Sequence, residues 1–435
     1  MTKGTKKNRA ALCWAALGSL TWGAFLTAAI SGGCSGKSLR SESAASAHAL
    51  HFPTAAVPEN VRELWSKKMD GRITDLNLSE NGSTILVTVA PDENSAAGHR
   101  LIAMDSGGSE LWKLPLTSAV KGQTLSDDGK LAVISNYEEE LFALDSQSGK
   151  LAWKTEGAGM CRPSWLGKGD TGAVLCYHDD DADPSIAFDL LDPKTGEKKF
   201  SFSLENFPRI QKKGAKASQP LRQDILALKL SPDGQLIALG LTQGQVSVVG
   251  MDTKERWRSQ VMGEIIDLSI SNGPEFRLAV QYHIPEKGQF VALLSETGKL
   301  LAETRLDTPM IQVEIHPEAR IIAAYGNGPH GQNLIALNLD DLSEKWRRSA
   351  PRYADYSSQM NLGKELLVVG FEDTIPSSRH SHILGFDLEG SLKWNLPMMT
   401  EEGAYLYARG MSESASLLVV ASDDGILSAH RIESP

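Results

Sequence analysis

A chain of 435 residues with 41% hydrophobic and 23% charged side chains has the balance of a globular protein, not of a disordered or fibrous one. Its formal net charge is −10, and without residues 1–33 it keeps 40 bases against 54 acids, a net of −14. A body that acidic argues against nucleic acid as a partner and against general adsorption to anionic membranes.

Residues 1–33 read as a targeting segment. Lys3, Lys6, Lys7 and Arg9 form a basic region, and residues 10–30 are uncharged and mostly apolar. Ser31-Gly32-Gly33-Cys34 follows and resembles the lipobox of bacterial lipoprotein precursors. That resemblance implies that Cys34 becomes the first mature residue and carries lipid, although the family prefers Leu where this chain has Ser31. The 21-residue apolar run would also serve as an uncleaved signal anchor, and simple secretion is a third reading. All three place the body outside the cytoplasm, in a bacterial envelope for the lipoprotein. Residues 34–60 are rich in Ser and Ala without periodicity, which predicts a flexible tether.

From residue 61 onward one pattern recurs: a short apolar strand, an Asp-centred turn, then a strand carrying an aromatic. The clearest copies are Ala143-Leu144-Asp145 through Gly149 to Trp153, and Ala103-Met104-Asp105 through Gly108 to Trp112. A period in the forties with four short strands per period predicts propeller blades in an all-β fold. The first blade reads as strands at 73–78, 84–90, 100–105 and 110–116. Six more follow near 117–156, 157–204, 223–261, 262–306, 308–350 and 354–398. The last segment, 403–435, offers only three strands, and 61–69 matches a fourth strand with no blade of its own. Pairing the two closes one domain, 61–435, as an eight-bladed propeller of four-stranded antiparallel blades and removes two sheet edges. The ring is expected to be monomeric. The fourth-strand aromatics Trp65, Trp112, Trp153, Phe200, Trp257, Trp346 and Trp394 are expected to pack between blades, with Ala302 standing in blade five.

The spacing Ala-x-Asp-x-x-x-Gly-x-x-x-Trp resembles the PQQ-like, quinoprotein-type repeat, while Ser231-Pro232-Asp233-Gly234 looks like the turn of a WD40-like propeller. The overall plan of lipobox, tether and eight blades is similar to that of the propeller lipoproteins of the outer-membrane β-barrel assembly machinery. What this implies is a non-catalytic binding or assembly scaffold, tethered to a membrane by its N-terminal lipid and bound to another envelope protein. Quinoprotein dehydrogenases of similar fold place an adjacent Cys-Cys pair over PQQ and acidic residues on calcium. This chain has no such dipeptide, so neither cofactor is expected. The rival reading is a cofactor- or metal-binding propeller, either a quinoprotein-type oxidoreductase or a metal- or ligand-sensing surface protein.

Cys161 and Cys176 fall on the first two strands of blade three, where hairpin pairing would bring them face to face as a disulfide; two free thiols are the alternative. Connections between second and third strands vary in length, at 91–99, 178–184, 283–288, 326–333 and 372–381, and they share a face with the connector 205–222. Loops of varying length on a rigid scaffold are where binding is expected. That face carries His99, His178, His283, His330, His380 and His382, of which His283, His330, His380 and His382 come from consecutive blades and would suit a metal. Asp179, Asp181 and Asp183 alternate as in a calcium loop, but Pro184 and Leu190 stand where an EF-hand needs Gly and Glu, so a solvated acidic loop is expected. Arg209, Lys212, Lys213, Lys216 and Arg222 form a basic island suited to an acidic partner.

Overall fold

The computed structural model describes residues 60–433, apart from 92–97, 156–160, 167–172, 179–185, 204–224, 253, 272–274, 329–330, 350–359, 373–379, 400–405, 413, 415 and 423. The described strands group into eight antiparallel sheets of four, each a blade. The chain enters as β1 (Val61–Lys68) and then builds blade one from β2 (Arg72–Leu78), β3 (Thr84–Ala90), β4 (Arg100–Asp105) and β5 (Glu110–Pro115). Blade two is β6 (Val120–Leu125), β7 (Leu131–Asn136), β8 (Leu141–Asp145) and β9 (Leu151–Thr155). Blade three is β10 (Cys161–Leu166), β11 (Ala173–His178), β12 (Ile186–Leu191) and β13 (Lys198–Ser203). Blade four is β14 (Ile225–Leu230), β15 (Leu236–Leu241), β16 (Gln245–Gly250) and β17 (Glu255–Gln260). Blade five is β18 (Glu264–Ile270), β19 (Leu278–Ile284), β20 (Gly288–Leu294) and β21 (Leu300–Leu306). Blade six is β22 (Gln312–His316), β23 (Ile321–Gly328), β24 (Gly331–Asn338) and β25 (Glu344–Ser349). Blade seven is β26 (Met360–Leu362), β27 (Leu366–Glu372), β28 (His380–Asp387) and β29 (Leu392–Met399). Blade eight is β30 (Leu406–Met411), β31 (Leu417–Ser422) and β32 (Ile426–Ile432), completed by β1.

The closure follows the register expected from the orphan strand. Val61 faces Ile432 and Lys68 faces Ile426, with a bulge between Glu63 and Trp65. Val61 and Ile432 are buried with Trp394 and Leu418 in one apolar cluster, so the first strand is packed as core and not merely laid on an edge. Second and third strands form the middle of each blade, and there the continuous apolar sequence is matched by burial on both faces: all seven residues of β3 and all six of β16 are buried.

The fourth-strand aromatics join neighbouring blades. Trp65 Nε1 donates to the Ser106 carbonyl at 2.9 Å, Trp112 to Ser146 at 2.7 Å, Trp153 to Pro193 at 2.7 Å and Trp346 to Leu388 at 2.9 Å. Each acceptor lies in the Asp-centred turn of the next blade, so one side chain supplies both the apolar area and the hydrogen bond that fix the seam. Trp394 differs. The blade beyond it is completed by the two chain ends and has no such turn, and the buried Trp394 Nε1 finds no acceptor among the described residues.

Candidate binding face and inner-strand charges

Antiparallel four-stranded blades place the turns between strands one and two, and three and four, on one face of the ring. The hairpins between strands two and three and the connectors between blades lie on the other. This hairpin face is uneven. Second and third strands pair over seven, eight and seven residues in blades five, six and seven, but over only four to six elsewhere. Among the described residues, three consecutive blades therefore carry longer second-to-third-strand ladders than the rest.

The ladder length corrects part of the loop assignment. Residues 326–333 are strand up to Gly328 and again from Gly331, whose backbones pair, and 283–288 is strand around a tight turn at Pro285-Glu286-Lys287. Alternation is hidden in the sequence because both hairpins carry Gly and polar residues near their tips. The hairpins are stiff at their base. Tyr282 is buried, stacks on Phe290 at 5.5 Å and donates to Glu303, and burial pushes its hydroxyl above the ordinary tyrosine range. Tyr325 donates to the Gly370 carbonyl at 3.3 Å, tying blade six to blade seven.

Four of the six histidines, His178, His283, His380 and His382, stand in strands. His283 stands in β19 opposite Gln289. His382 stands in β28 opposite Pro397, with Nδ1 2.9 Å from Asn395 Oδ1. His380 begins β28, His178 ends β11, and His99 precedes β4 with a buried Nδ1 that lowers its readiness to protonate. His330, Asp179, Asp181, Asp183 and the basic island Arg209, Lys212, Lys213, Lys216 and Arg222 lie outside the described residues, as does Cys34. Among the described residues no three His, Cys, Asp or Glu side chains are grouped to hold a metal ion. Two large apolar side chains do stand out on this face: Met262, 79% exposed in the connector between blades four and five, and Tyr137, 54% exposed with the Lys121 ammonium 5.8 Å from its ring centre.

Cys161 and Cys176 are brought together, their Cα atoms 5.3 Å apart and their sulfurs joined. They are not face to face: Cys161 lies opposite His178 and Cys176 opposite Pro163, so the bond runs diagonally across the ladder. Both side chains are buried beside Val133, Ala143 and Trp153.

The innermost strands hold charges that strand patterning does not single out. Lys229 of β14 reaches past blade five to Glu314 of β22 at 3.0 Å, and lies 4.0 Å from Asp267 of β18. Burial alone would lower the Lys229 pKa, but Glu314 and Asp267 outweigh it and hold the ammonium above its usual value. Burial raises Asp267 to about 6 against the pull of Lys229, and its other oxygen accepts from the Val313 N–H at 2.9 Å. A second carboxyl near the axis, Asp75 of β2, is also raised to about 6 by burial, against the Leu76 N–H and the Arg162 charge of blade three. Blade two lies between them with Gly122, where a Cβ would sit 3.1 Å from Pro163, so a larger residue would crowd the reach. Charged residues in otherwise apolar inner strands, Leu228-Lys229-Leu230 and Ile266-Asp267-Leu268, are the signal the sequence offers. The Lys229–Glu314 pair ties blades four and six, which are not neighbours.

A closed ring of eight four-stranded antiparallel blades, with ion pairs between its inner strands, defines a β-propeller of the PQQ-like repeat class. The family described as outer membrane protein assembly factor BamB matches residues 55–169, 97–253 and 242–431, and the chain belongs to that family. The crystal structure of BamB from Moraxella catarrhalis superposes with a TM-score of 0.54 at 14% identity, covering 85% of this chain and 99% of that one. The C-terminal WD40 domain of Sif2 gives 0.59 at 11% identity, covering 87% and 100%. At such identities the likeness carries the fold. No curated protein matches the chain at the sequence level.

Proposed function

We propose that this protein is an envelope-associated binding scaffold that holds another protein on its hairpin face without catalysing a reaction. The observation that carries the reading is the set of long second-to-third-strand ladders in the consecutive blades five, six and seven, which extend one face of the ring among the described residues, in a chain of the BamB family. Stiff projections at fixed positions let several modest contacts add into one specific interface. The N-terminal lipid on Cys34 supplies the tether. It leaves from the opposite face, because Val61 pairs with Ile432 at the turn-face end of blade eight and Glu433 N–H bonds the Asn60 carbonyl at 2.9 Å. An anchor rooted there leaves the hairpins unobstructed.

A quinone cofactor is no part of this reading. The two cysteines of the propeller sit on different strands and are bonded to each other inside the core. The test is site-directed photocrosslinking in intact envelopes, with probes at Glu286 on the blade-five hairpin and at Ser148 on the turn face. A discrete adduct from Glu286 and none from Ser148 is expected. An adduct from Ser148 alone overturns the assignment of the face. Intact-mass analysis of the extracted protein tests the tether, the expected N-terminus being an acylated Cys34.

A further inference from the structure

Every blade ends in an outer strand whose far side has no strand partner among the described residues. Such edges template pairing with another chain unless charge or proline guards them. Six of the eight, β1, β9, β13, β17, β25 and β29, carry a net positive charge, so two copies of any one of them repel. The seventh, β5, is neutral but ends in Pro115. The eighth, β21, reads Leu-Leu-Ala-Glu-Thr-Arg-Leu: one acid, one base, no Lys and no Pro. Leu300 and Leu301 are 50% and 45% exposed, an adjacent pair of large apolar side chains at an open edge. Ala302 stands where the other blades have an aromatic, which leaves this edge flat.

The strand is also complementary to itself. Laid antiparallel on a second β21 with Thr304 facing Thr304, Ala302 meets Leu306, and Glu303 meets Arg305 twice, once on each side of the two-fold axis. Opposite charges and Thr–Thr pairs directly across a ladder are favourable, and here they come without the net positive charge that the six other edges bring to such a pairing. We propose that β21 is a homotypic docking edge, on which a second copy of this chain pairs blade five to blade five in one continuous eight-stranded sheet. The ring is closed without it, so the pair exchanges with the monomer. One short edge buries less than a standard interface, so the pairing depends on local concentration. This inference does not rest on the proposed partner or tether.

The test uses the full chain in its native membrane, with a single cysteine introduced as Thr304→Cys, as Leu301→Cys or, for a guarded-edge control, as Leu151→Cys. On mild oxidation Thr304→Cys is expected to give a covalent homodimer at least ten-fold faster than the other two, because only position 304 meets its own copy. Arg305→Glu in the Thr304→Cys background should slow the reaction several-fold, and adding Glu303→Lys should restore it. Monomer alone, equal rates for Thr304→Cys and Leu151→Cys, or an adduct of the Thr304→Cys variant with a different protein would each overturn the second copy as occupant.

Discussion

Gly149 lies beneath the indole of Trp112. A Cβ built on Gly149 would sit 2.8 Å from Trp112 Cγ, and Trp112 Nε1 donates to the Ser146 carbonyl in the same turn at 2.7 Å. With φ at +68°, Gly149 also occupies a conformation that side chains disfavour. Two independent demands therefore fall on one residue, the turn and the seam. Replacement by Ala should cost at least about 1–2 kcal/mol, and Trp112→Ala about 3–5 kcal/mol. Denaturant midpoints of the two variants check the ordering.

Blade five shows the same joint with both halves exchanged. Its outer strand carries Ala302 in place of the aromatic, and the facing turn of blade six carries Leu342, buried in the cluster against which Ala302 packs. Leu342 has φ +59°, so it holds the glycine conformation and fills the indole's space with its own side chain. Ala302→Trp alone should destabilise by about 1–3 kcal/mol through overpacking. Ala302→Trp with Leu342→Gly should recover most of that loss, and a double-mutant cycle measures the coupling. Additive effects would show that the two sites do not share one space.

The repeat made the ring legible. Asp-x-x-x-Gly-x-x-x-Trp appears in sequence because its turn chemistry and its seam aromatic are local, and the strand count exposed the missing fourth strand that β1 supplies to β32. The site was less legible. Tips such as Gly326–Gly328 read as loop because ladder pairing, not side-chain pattern, makes them strand. Lys229 and Glu314 are 85 positions apart and meet only because their inner strands converge on one axis. No local window contains that relation.

Ring closure should respond to acid through His430. It lies in β32 opposite Glu63 of β1, is buried, and has Nε2 2.9 Å from Ser428 Oγ, while Nδ1 has no partner among the described residues. Burial lowers its pKa from 6.5 to about 4. The neutral ring is the one the fold accepts, so this contribution is complete above pH 6.5 and is lost as pH falls toward 4. His430→Gln should be less stable than the parent at pH 7, and the gap should shrink by about 2–3 kcal/mol by pH 4. Asp75 and Asp267, both raised to about 6, oppose this trend: they favour folding below about pH 4 and lose that contribution as pH rises through 6. The comparison must therefore be made as a difference between the two proteins. A gap unchanged with pH removes His430 as the titrating group.

The Cys161–Cys176 bond spans 15 positions, for which loop closure gives about 3 kcal/mol, less any strain. Exported protein denatured without reductant should leave both thiols unlabelled. A Cys161→Ala, Cys176→Ala variant should lose a similar amount of stability while keeping its partner, since both side chains are buried in the core and offer no contact surface. Labelling of both cysteines in the denatured, unreduced protein would rule the bond out.

The hairpin face should decide partner binding, and its parts should contribute differently. Arg209, Lys212, Lys213 and Lys216 fall in sequence between β13 and β14, outside the described residues. On a body of net charge −14 a basic island is suited to an acidic surface, so replacing all four with Ser should weaken capture chiefly by slowing association. Parent binding should fall as salt rises, because exposed charges are screened beyond about 8–10 Å, and the Ser variant should lose that dependence. Met262→Asp acts through a different term, removing apolar area from the interface, and its effect should persist at high salt. Met262 is exposed, so the thermal midpoint of Met262→Asp should match the parent, and the midpoint of the Ser variant is measured beside it as the control for folding. Capture from solubilised envelopes at low and high salt separates the two contributions. If both variants and His330→Ala bind as the parent does, while Asp145→Lys on the turn face abolishes capture, then the ring presents its other side.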